Sequence, residues 1–231
     1  MTPRRSIAAY TLLELLVVVG LVAGLSFFLV GGLRGGGRSV ALQSGQSTLA
    51  NLVTAARTKA MASGQSARIL VHVDPGSADA STRYLRYLVL QVQAGGVWQP
   101  VPVAEAYLLE GVFVVPGNFA NMPAGLFAAD TVTPWTKSDG SPLRSTALRT
   151  ASITSEIINS TAAEQWVSIT FAAAGTTAQS GDLILALGKI RPPGSSAPGD
   201  APVELENPEE VRGLALSAYG LPVLVNGRAS F

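Results

Sequence analysis

Residues that could perform chemistry are sparse in this chain of 231 residues, and one of them stands in an unusual place. Glu14 is the single ionisable residue between Leu12 and Leu33. A carboxylate in an apolar helix costs roughly 2.5 to 3.5 kcal/mol at the centre of a membrane, and such acids usually pair with a partner. An acid at the membrane edge can instead reach the headgroups. The residue type alone therefore leaves both explanations open.

The other reactive residues exclude most catalytic chemistry. The chain contains no cysteine, which rules out disulfides, thiolate metal sites and a cysteine nucleophile. His72 is the single histidine, so one chain can form neither a histidine metal cluster nor a Ser-His-Asp triad, and its place in a predicted strand indicates a partly exposed structural residue. Asp130, Asp139, Asp182 and Asp200 fall in predicted loops without the spacing of a calcium loop. We therefore expect no enzyme, no cofactor and no metal site.

A nucleic-acid site is not favoured either. The nearest approach to a basic and aromatic binding surface is the stretch Arg83–Tyr87, which alternates two arginines with two tyrosines around Leu85. Elsewhere the basic residues neither cluster nor form a run, and the formal net charge is only +1. An ordinary exposed strand accounts for the stretch, so nucleic acid is not expected as a partner.

The element that carries Glu14 is predicted to be a membrane helix. Leu15 to Leu33 is uncharged for 19 residues, which at about 1.5 Å per residue spans roughly 30 Å of hydrocarbon. Arg4 and Arg5 precede it, and positive residues favour the cytoplasmic side. A cleaved secretory signal, a plain anchor and a segment cut at its cytoplasmic edge are the three interpretations. The length of the apolar run disfavours a conventional signal.

The stretch Ala9–Glu14 resembles the processing site of type IV prepilins and type II secretion pseudopilins. In that family a short basic leader ends in a small residue, an aromatic residue follows, and glutamate is fifth in the mature chain. The usual residues around the cut are glycine and phenylalanine, where this chain has Ala9 and Tyr10. The resemblance implies cleavage by a prepilin peptidase between Ala9 and Tyr10, followed by N-methylation at Tyr10. It also implies that Glu14 neutralises the terminal amine of a neighbouring subunit during assembly.

The N-terminal part divides into four predicted segments: a cytoplasmic leader (1–9), a transmembrane and assembly helix (10–33), a glycine-rich hinge (34–38) and an amphipathic helix (39–64). The hinge is predicted because residues 31–37 hold five glycines, and each costs about 1 kcal/mol relative to alanine in a helix. The second helix is predicted from apolar residues at three-to-four spacing, with Gly64 as its C-terminal cap. These apolar residues are Leu42, Leu49, Leu52, Val53, Ala56 and Ala60.

Residues 65–231 are predicted to form a β-rich globular domain, because apolar alternation and glycine or proline turns replace the helical pattern. Long loops are expected at 118–165 and 191–210, each either functional or disordered. The predicted strands are Ala67–Asp74, Tyr84–Gln93, Val97–Val103, Gly111–Val115, Trp166–Ala172, Asp182–Leu187, Gly213–Ala218 and Leu221–Val225. The passage from residue 49 to 74 and the stretches 166–185 and 214–223 resemble the H-type pseudopilins and the FimT-like minor pilins.

The resemblance implies an α+β fold in which a long N-terminal helix, broken near 31–37, packs on an antiparallel sheet. It implies a structural subunit of a type II secretion pseudopilus or a type IV pilus-like filament. The expected partners are other pilin or pseudopilin subunits, prepilin peptidase, the inner membrane and a possible secretion cargo. The N-terminus would be cytoplasmic and the domain periplasmic. Two alternatives stay open: a single-pass envelope protein that binds a ligand without polymerising, and a minor pilin for DNA uptake.

Overall fold

The computed structural model describes residues 12–119, 122–128, 133–192 and 199–231; for residues 12–15 and 23–36 it describes the helical backbone alone. The chain divides into two compact units, Met1–Ser39 and Val40–Phe231. The second unit contains the end of the long helix together with every strand.

The long helix, α1 (Leu12–Ser63), is helical over 52 residues. The predicted break near residues 31–37 is wrong, because this stretch is helical throughout. The two helices predicted at 10–33 and 39–64 are parts of one helix where they are described. A helix that is already nucleated gains one hydrogen bond for each residue added, and this gain offsets the entropy lost at the glycines. The boundary between the two units nevertheless comes two residues after Gly37.

The predicted amphipathic pattern of the second half of α1 is confirmed. All six apolar residues of the predicted stripe are buried, and they share one core with the sheets. The helix ends at Ser63, and Gly64 follows with φ of +63°. This left-handed conformation is the one that favours glycine after a helix.

The first sheet has five antiparallel strands in the order β3-β2-β1-β6-β5. A short helix, α2 (Ala80–Arg83), lies in the connection from β1 to β2. The bounds are β1 Ala67–His72, β2 Tyr87–Ala94, β3 Val97–Tyr107, β5 Ile153–Glu156 and β6 Glu164–Phe171.

The second sheet contains the remaining five strands. Its order is β10-β9-β7-β4. Residues 181–186 of β7 pair with β9, and residues 188–190 of the same strand pair with β8. The pairs within it are antiparallel. The bounds are β4 Val112–Val114, β7 Gly181–Ile190, β8 Val203–Leu205, β9 Val211–Leu216 and β10 Pro222–Asn226.

The α+β fold with a helix packed on antiparallel sheet is confirmed, and each of the eight predicted strands has a counterpart. Two further strands, β5 and β8, lie inside the segments predicted as the long loops 118–165 and 191–210. They have four and three residues, too few for alternation to be recognised. Their pairing with β6 and β7 is what makes them strands.

The strand β1 is buried on both faces. Ile69, Val71 and Val73 point into the main core, which also contains the helix stripe. Leu70 belongs to a second, smaller core with Tyr87, Val89, Ile158 and Trp166. Alternate residues of this segment therefore face two different cores, and neither face is solvent-exposed.

Candidate functional site

The residues proposed for processing and assembly are only partly within the described chain. Ala9 and Tyr10, with the basic residues of the leader, lie outside it. Glu14 lies in the first turn of α1, in the part where the backbone alone is described. Their roles remain predictions.

The helix that follows Glu14 has apolar side chains on all sides. Leu16, Val17, Val18, Val19, Leu21 and Val22 are each more than half exposed. Seven consecutive helical positions cover the whole circumference, so no orientation of the isolated helix would hide them. A helix that is apolar all round is stable when lipid or other protein covers it.

Within the described residues, none of the helices is both long and apolar enough to cross a membrane.

The second half of α1 is fixed to the domain by polar as well as apolar contacts. Gln46 Nε2 donates to the carbonyl oxygens of Gly213, at 2.7 Å, and Val225, at 2.9 Å. Arg57 Nε donates to the carbonyl oxygen of Tyr219 at 3.0 Å. Gln46 contacts Val225 and Arg57 contacts Tyr219. Residues 219 to 225 therefore run antiparallel to this half of the helix.

The β9–β10 hairpin presents an apolar surface that the sequence predicted as a strand pair but not as a surface. Tyr219, Leu221, Val223 and Leu224 are 50% to 70% exposed. The sequence feature that could have indicated this surface is the lack of charge: the eleven residues 217–227 are all uncharged. Predicted strands elsewhere in the domain are also largely uncharged, because they are buried, so the signal could not be separated from that of a core strand.

A buried group of charges lies beside the second core. Arg83 Nη1 donates to Glu164 at 2.8 Å and Nη2 to the carbonyl oxygen of Ile158 at 2.6 Å. His72 Nε2 is 3.5 Å from the same carboxylate, and the imidazole meets the edge of Trp166 with ring centroids 5.0 Å apart. The predicted partial exposure of His72 is wrong: its side chain is fully buried, because the connection after β5 covers this face of the sheet.

The electrostatics of this group favour a structural role. Burial, followed by the effect of the Arg83 guanidinium, lowers the pKa of His72 to about 4. Burial raises the pKa of Glu164, although the positive charge of Arg83 acts in the opposite direction. The imidazole is therefore neutral at pH 7, and all three side chains are closed to solvent. The group stabilises the packing of the β1–β2 connection on the sheet.

The stretch Arg83–Tyr87 is not the exposed strand that its sequence indicated. It comprises the last residue of α2, a turn and the first residue of β2. Arg83, Tyr84 and Tyr87 are buried, and Arg86 donates from Nη2 to the carbonyl oxygen of Leu108 at 2.9 Å. Arg83 is thus engaged inside the domain, and the half-buried Arg86 is held by a backbone carbonyl.

The carboxylates predicted in loops serve separate local contacts where they are described, and Asp182 lies in β7, not in a loop. Asp139 accepts hydrogen bonds from Ser141, Asp182 lies 2.5 Å from Lys137, and Asp200 lies 3.7 Å from Arg191. Asp130 lies outside the described residues. No three histidine or acidic residues of the described ranges come together as a metal site.

One cavity of about 410 Å³ opens beside the end of β1. Its wall includes Asp74, Tyr84, Thr150 and Gln165, together with apolar residues. The Asp74 carboxylate already accepts from the backbone N–H groups of Gly76 and Gln165. This carboxylate is therefore used in holding neighbouring segments.

Comparison with known proteins gives similarity at the level of structure alone. No protein-family model matches the sequence, and no curated protein matches it. Two solved structures of EpsH, a minor pseudopilin from the type II secretion system of Vibrio cholerae, are similar to the chain. One has a TM-score of 0.39 at 15% identity and covers 84% of this chain and 99% of its own. The other has a TM-score of 0.40 at 17% identity and covers 83% and 99%. The type IV minor pilin FimU of Pseudomonas aeruginosa has a TM-score of 0.37 at 13% identity and covers 82% and 95%.

Proposed function

We propose that this chain is a pilin-like subunit that is cleaved by a prepilin peptidase and assembled through α1 into a pseudopilus or type IV pilus-like filament. The observation that carries the proposal is the register of the N-terminal residues. A basic leader, Ala9, Tyr10 and Glu14 precede an apolar helix at a spacing that resembles the processing site of type IV prepilins. The helix continues into the domain, which suits transmission of an assembly contact to a globular head.

The chemistry of assembly follows from two charges that are unstable when buried alone. Cleavage after Ala9 creates an amine at Tyr10, and N-methylation leaves that amine able to carry a proton. An isolated charge buried in an apolar environment is heavily penalised, whereas an ion pair with hydrogen bonds is tolerated. Glu14 of one subunit would neutralise the Tyr10 amine of the next. The pair would also set the axial position of each subunit, because a displaced helix leaves both charges unpaired.

The apolar helix would have two environments in sequence. Before assembly the exposed residues between Leu16 and Val22 would be covered by lipid, with the N-terminus cytoplasmic and the domain periplasmic. After assembly, the corresponding helices of other subunits would cover them. Moving the helix from lipid into a helical bundle leaves its apolar side chains in an apolar environment, so the hydrophobic effect does not drive assembly. Helix packing and the Glu14 pair therefore decide whether assembly occurs. Other subunits, the peptidase and a secretion cargo would be its partners, and no catalysis is required.

The first experiment determines the mature N-terminus. The full chain is expressed in a host with a type II secretion or type IV pilus system, and the membrane-extracted protein is analysed by intact mass spectrometry. We expect a chain that begins at N-methylated Tyr10. A chain that begins at Met1, or one cut near Ser26, would overturn the proposal.

The second experiment separates assembly from anchoring. Glu14→Ala is compared with Leu16→Ala, which shortens a neighbouring side chain without changing charge. Both variants should be cleaved and remain in the membrane, and only Glu14→Ala should be missing from sheared filaments or pseudopili. If Glu14→Ala assembles as well as Leu16→Ala, assembly does not depend on the charge pair. If neither the unaltered chain nor any variant enters filaments or pseudopili, the protein is a single-pass envelope protein that does not polymerise.

A further inference from the structure

The cavity beside the end of β1 has the size and lining of a site for a small organic molecule. Such sites commonly have volumes of about 300 to 1,000 Å³, with mostly apolar walls and a few polar groups. The volume of this cavity is about 410 Å³. The apolar residues of its wall are Val73, Pro75, Phe119, Met122, Pro123 and Ile153. The polar residues of the wall therefore decide which class of ligand it suits.

Tyr84 contributes a hydroxyl that the fold leaves unused. The residue is only 2% exposed, yet its hydroxyl makes no hydrogen bond with any described residue. Both imidazole nitrogens of His72 are sealed from solvent without a hydrogen-bond partner, but the Tyr84 hydroxyl is not among such sealed atoms of the described chain. Solvent therefore reaches this hydroxyl, and it does so through the cavity that Tyr84 lines. Because buried polar groups usually have a partner, the hydroxyl is available to a ligand.

Asp74 contributes a carboxylate that is held in place and can still accept hydrogen bonds. Its Oδ1 accepts from the backbone N–H of Gly76 at 2.9 Å, and its Oδ2 accepts from that of Gln165 at 3.2 Å. An ionised carboxylate offers roughly four lone-pair positions, so roughly two stay open beside these two bonds. The backbone bonds fix the orientation of the carboxylate before any ligand binds.

The charges around the cavity favour a cationic ligand. Among the described residues that line it, Asp74 alone is charged. Burial and Arg83 lower the pKa of His72, and the negative charges of Asp74 and Asp79 act on it in the opposite direction. The guanidinium of Arg83 is 2.8 Å from the Glu164 carboxylate, which neutralises it. The local field is therefore negative, so it attracts a cation and repels an anion.

We propose that this cavity binds a small organic amine, whose ammonium group is held by Asp74 and Tyr84 and whose apolar body packs between Phe119 and Met122. An ammonium group has three N–H donors, which match the two open positions of the carboxylate and the oxygen of the hydroxyl. Burial and the charge of Asp74 raise the pKa of Tyr84, so it stays a neutral hydroxyl. The site goes beyond the proposed function and does not rest on it, because the cavity belongs to the unit Val40–Phe231 and no residue of α1 lines it where the chain is described.

The first test uses benzylamine as the probe, because it joins a protonated amine to a compact apolar ring. The full chain is solubilised in detergent and titrated by saturation-transfer difference NMR, with protein-free micelles as the blank. We expect a Kd on the order of 1 mM, which is usual for a ligand of this size. Benzyl alcohol has the same shape without the charge and should bind roughly tenfold more weakly. Equal affinity for the two probes, or no binding of benzylamine above the blank, would overturn the proposal.

The second test removes the charge from the wall. Asp74→Asn should weaken benzylamine binding roughly tenfold, because the ammonium loses a charged acceptor. The matched control is Asp139→Asn, which neutralises an exposed acid that does not line the cavity and should leave the Kd unchanged. Thermal unfolding followed by tryptophan fluorescence verifies that both variants are folded.

A third variant decides the matter even if Asp74→Asn fails to fold, since Asp74 also holds the backbone. Tyr84→Phe removes a hydroxyl that bonds to no described residue, so the fold should be unaffected, and binding of benzylamine should weaken roughly fivefold. Tyr107→Phe makes the same change at a tyrosine that is 54% exposed and outside the cavity wall, and it should bind as the unaltered chain does. Benzylamine binding that is unchanged in Tyr84→Phe, or in folded Asp74→Asn, would contradict the site and leave the proposed function in place.

Discussion

Gln46, in the middle of the long helix, lies 2.7 Å from the carbonyl oxygen of Gly213 in the central region of the second sheet. The same amide nitrogen reaches Val225 on the neighbouring strand. One side chain thus ties the helix to two adjacent strands. It also sets the position of the β9–β10 hairpin along α1.

The first prediction concerns this contact. Gln46→Ala removes the buried amide that donates to the carbonyl oxygens of both Gly213 and Val225. Loss of a buried hydrogen-bond partner costs about 1 to 3 kcal/mol, so the free energy of unfolding should fall by about 2 kcal/mol. Urea unfolding of the detergent-solubilised chain, followed by tryptophan fluorescence, measures the change. Gln43→Ala, at an exposed position one turn earlier, should change it by less than about 0.5 kcal/mol.

The second prediction contrasts two glycines. A Cβ at Gly213 would lie 2.0 Å from the carbonyl oxygen of Leu183, so Gly213→Ala should push β9 away from β7 and lower the free energy of unfolding by about 3 kcal/mol. A Cβ at Gly37 would meet nothing within 4 Å. Since alanine is the better helix former by about 1 kcal/mol, Gly37→Ala should raise helicity in far-UV circular dichroism. A destabilising Gly37→Ala would contradict the continuous helix.

The third prediction tests the buried ion pair. Arg83→Met leaves the Glu164 carboxylate buried without its cation, and Glu164→Leu leaves the cation without its anion. Removing one partner of a buried pair costs about 3 to 5 kcal/mol. The double variant should lose clearly less than the sum of the two, which a double-mutant cycle of urea unfolding measures. As a control, Lys189→Ala removes a cation whose side chain is 72% exposed and should change stability by less than about 1 kcal/mol.

The fourth prediction is a dependence of stability on pH. Because the pKa of His72 is lowered to about 4 in the fold, against about 6.5 when unfolded, the unfolded chain binds the proton first. The stabilisation is fully present above pH 6.5 and is lost as the pH falls from 6.5 to 4, by an amount on the order of 3 kcal/mol. His72→Phe should remove this part of the dependence. Measured at several pH values between 4 and 7, the unfolding free energy of the unaltered protein should therefore fall more steeply towards pH 4 than that of His72→Phe; parallel curves would contradict the buried neutral imidazole.

Local patterns were sufficient for the elements that are long or strongly periodic. The buried stripe of α1 from Leu42 to Ala60 follows from three-to-four spacing, and its end follows from Gly64. The strands with four or more apolar or alternating residues were recognisable for the same reason. By contrast, β5 and β8 are too short to show such a pattern, and their pairing with β6 and β7 makes them strands.

The glycine-rich stretch and His72 show where local patterns failed. Gly31 to Gly37 lowers helix propensity, but the flanking helix overrides it, because each added residue still gains a backbone hydrogen bond. His72 alternates as an exposed residue would, yet the connection after β5 folds over its face and Arg83 and Glu164 close around it. Both outcomes depend on segments distant from the residue concerned.

The sequence by itself determined the apolar helix and the α+β class, since each depends on residue type and spacing along a few turns, and the residues from Ala9 to Glu14 carry the prediction of processing. Only the tertiary structure decided which apolar residues stay exposed and which cations are engaged inside the domain. Edges and burial arise from contacts between residues far apart in the chain, such as Gln46 with Gly213 or Arg83 with Glu164. The same uncharged pattern describes a core strand and the exposed strand β10, and the neighbours in space make the difference.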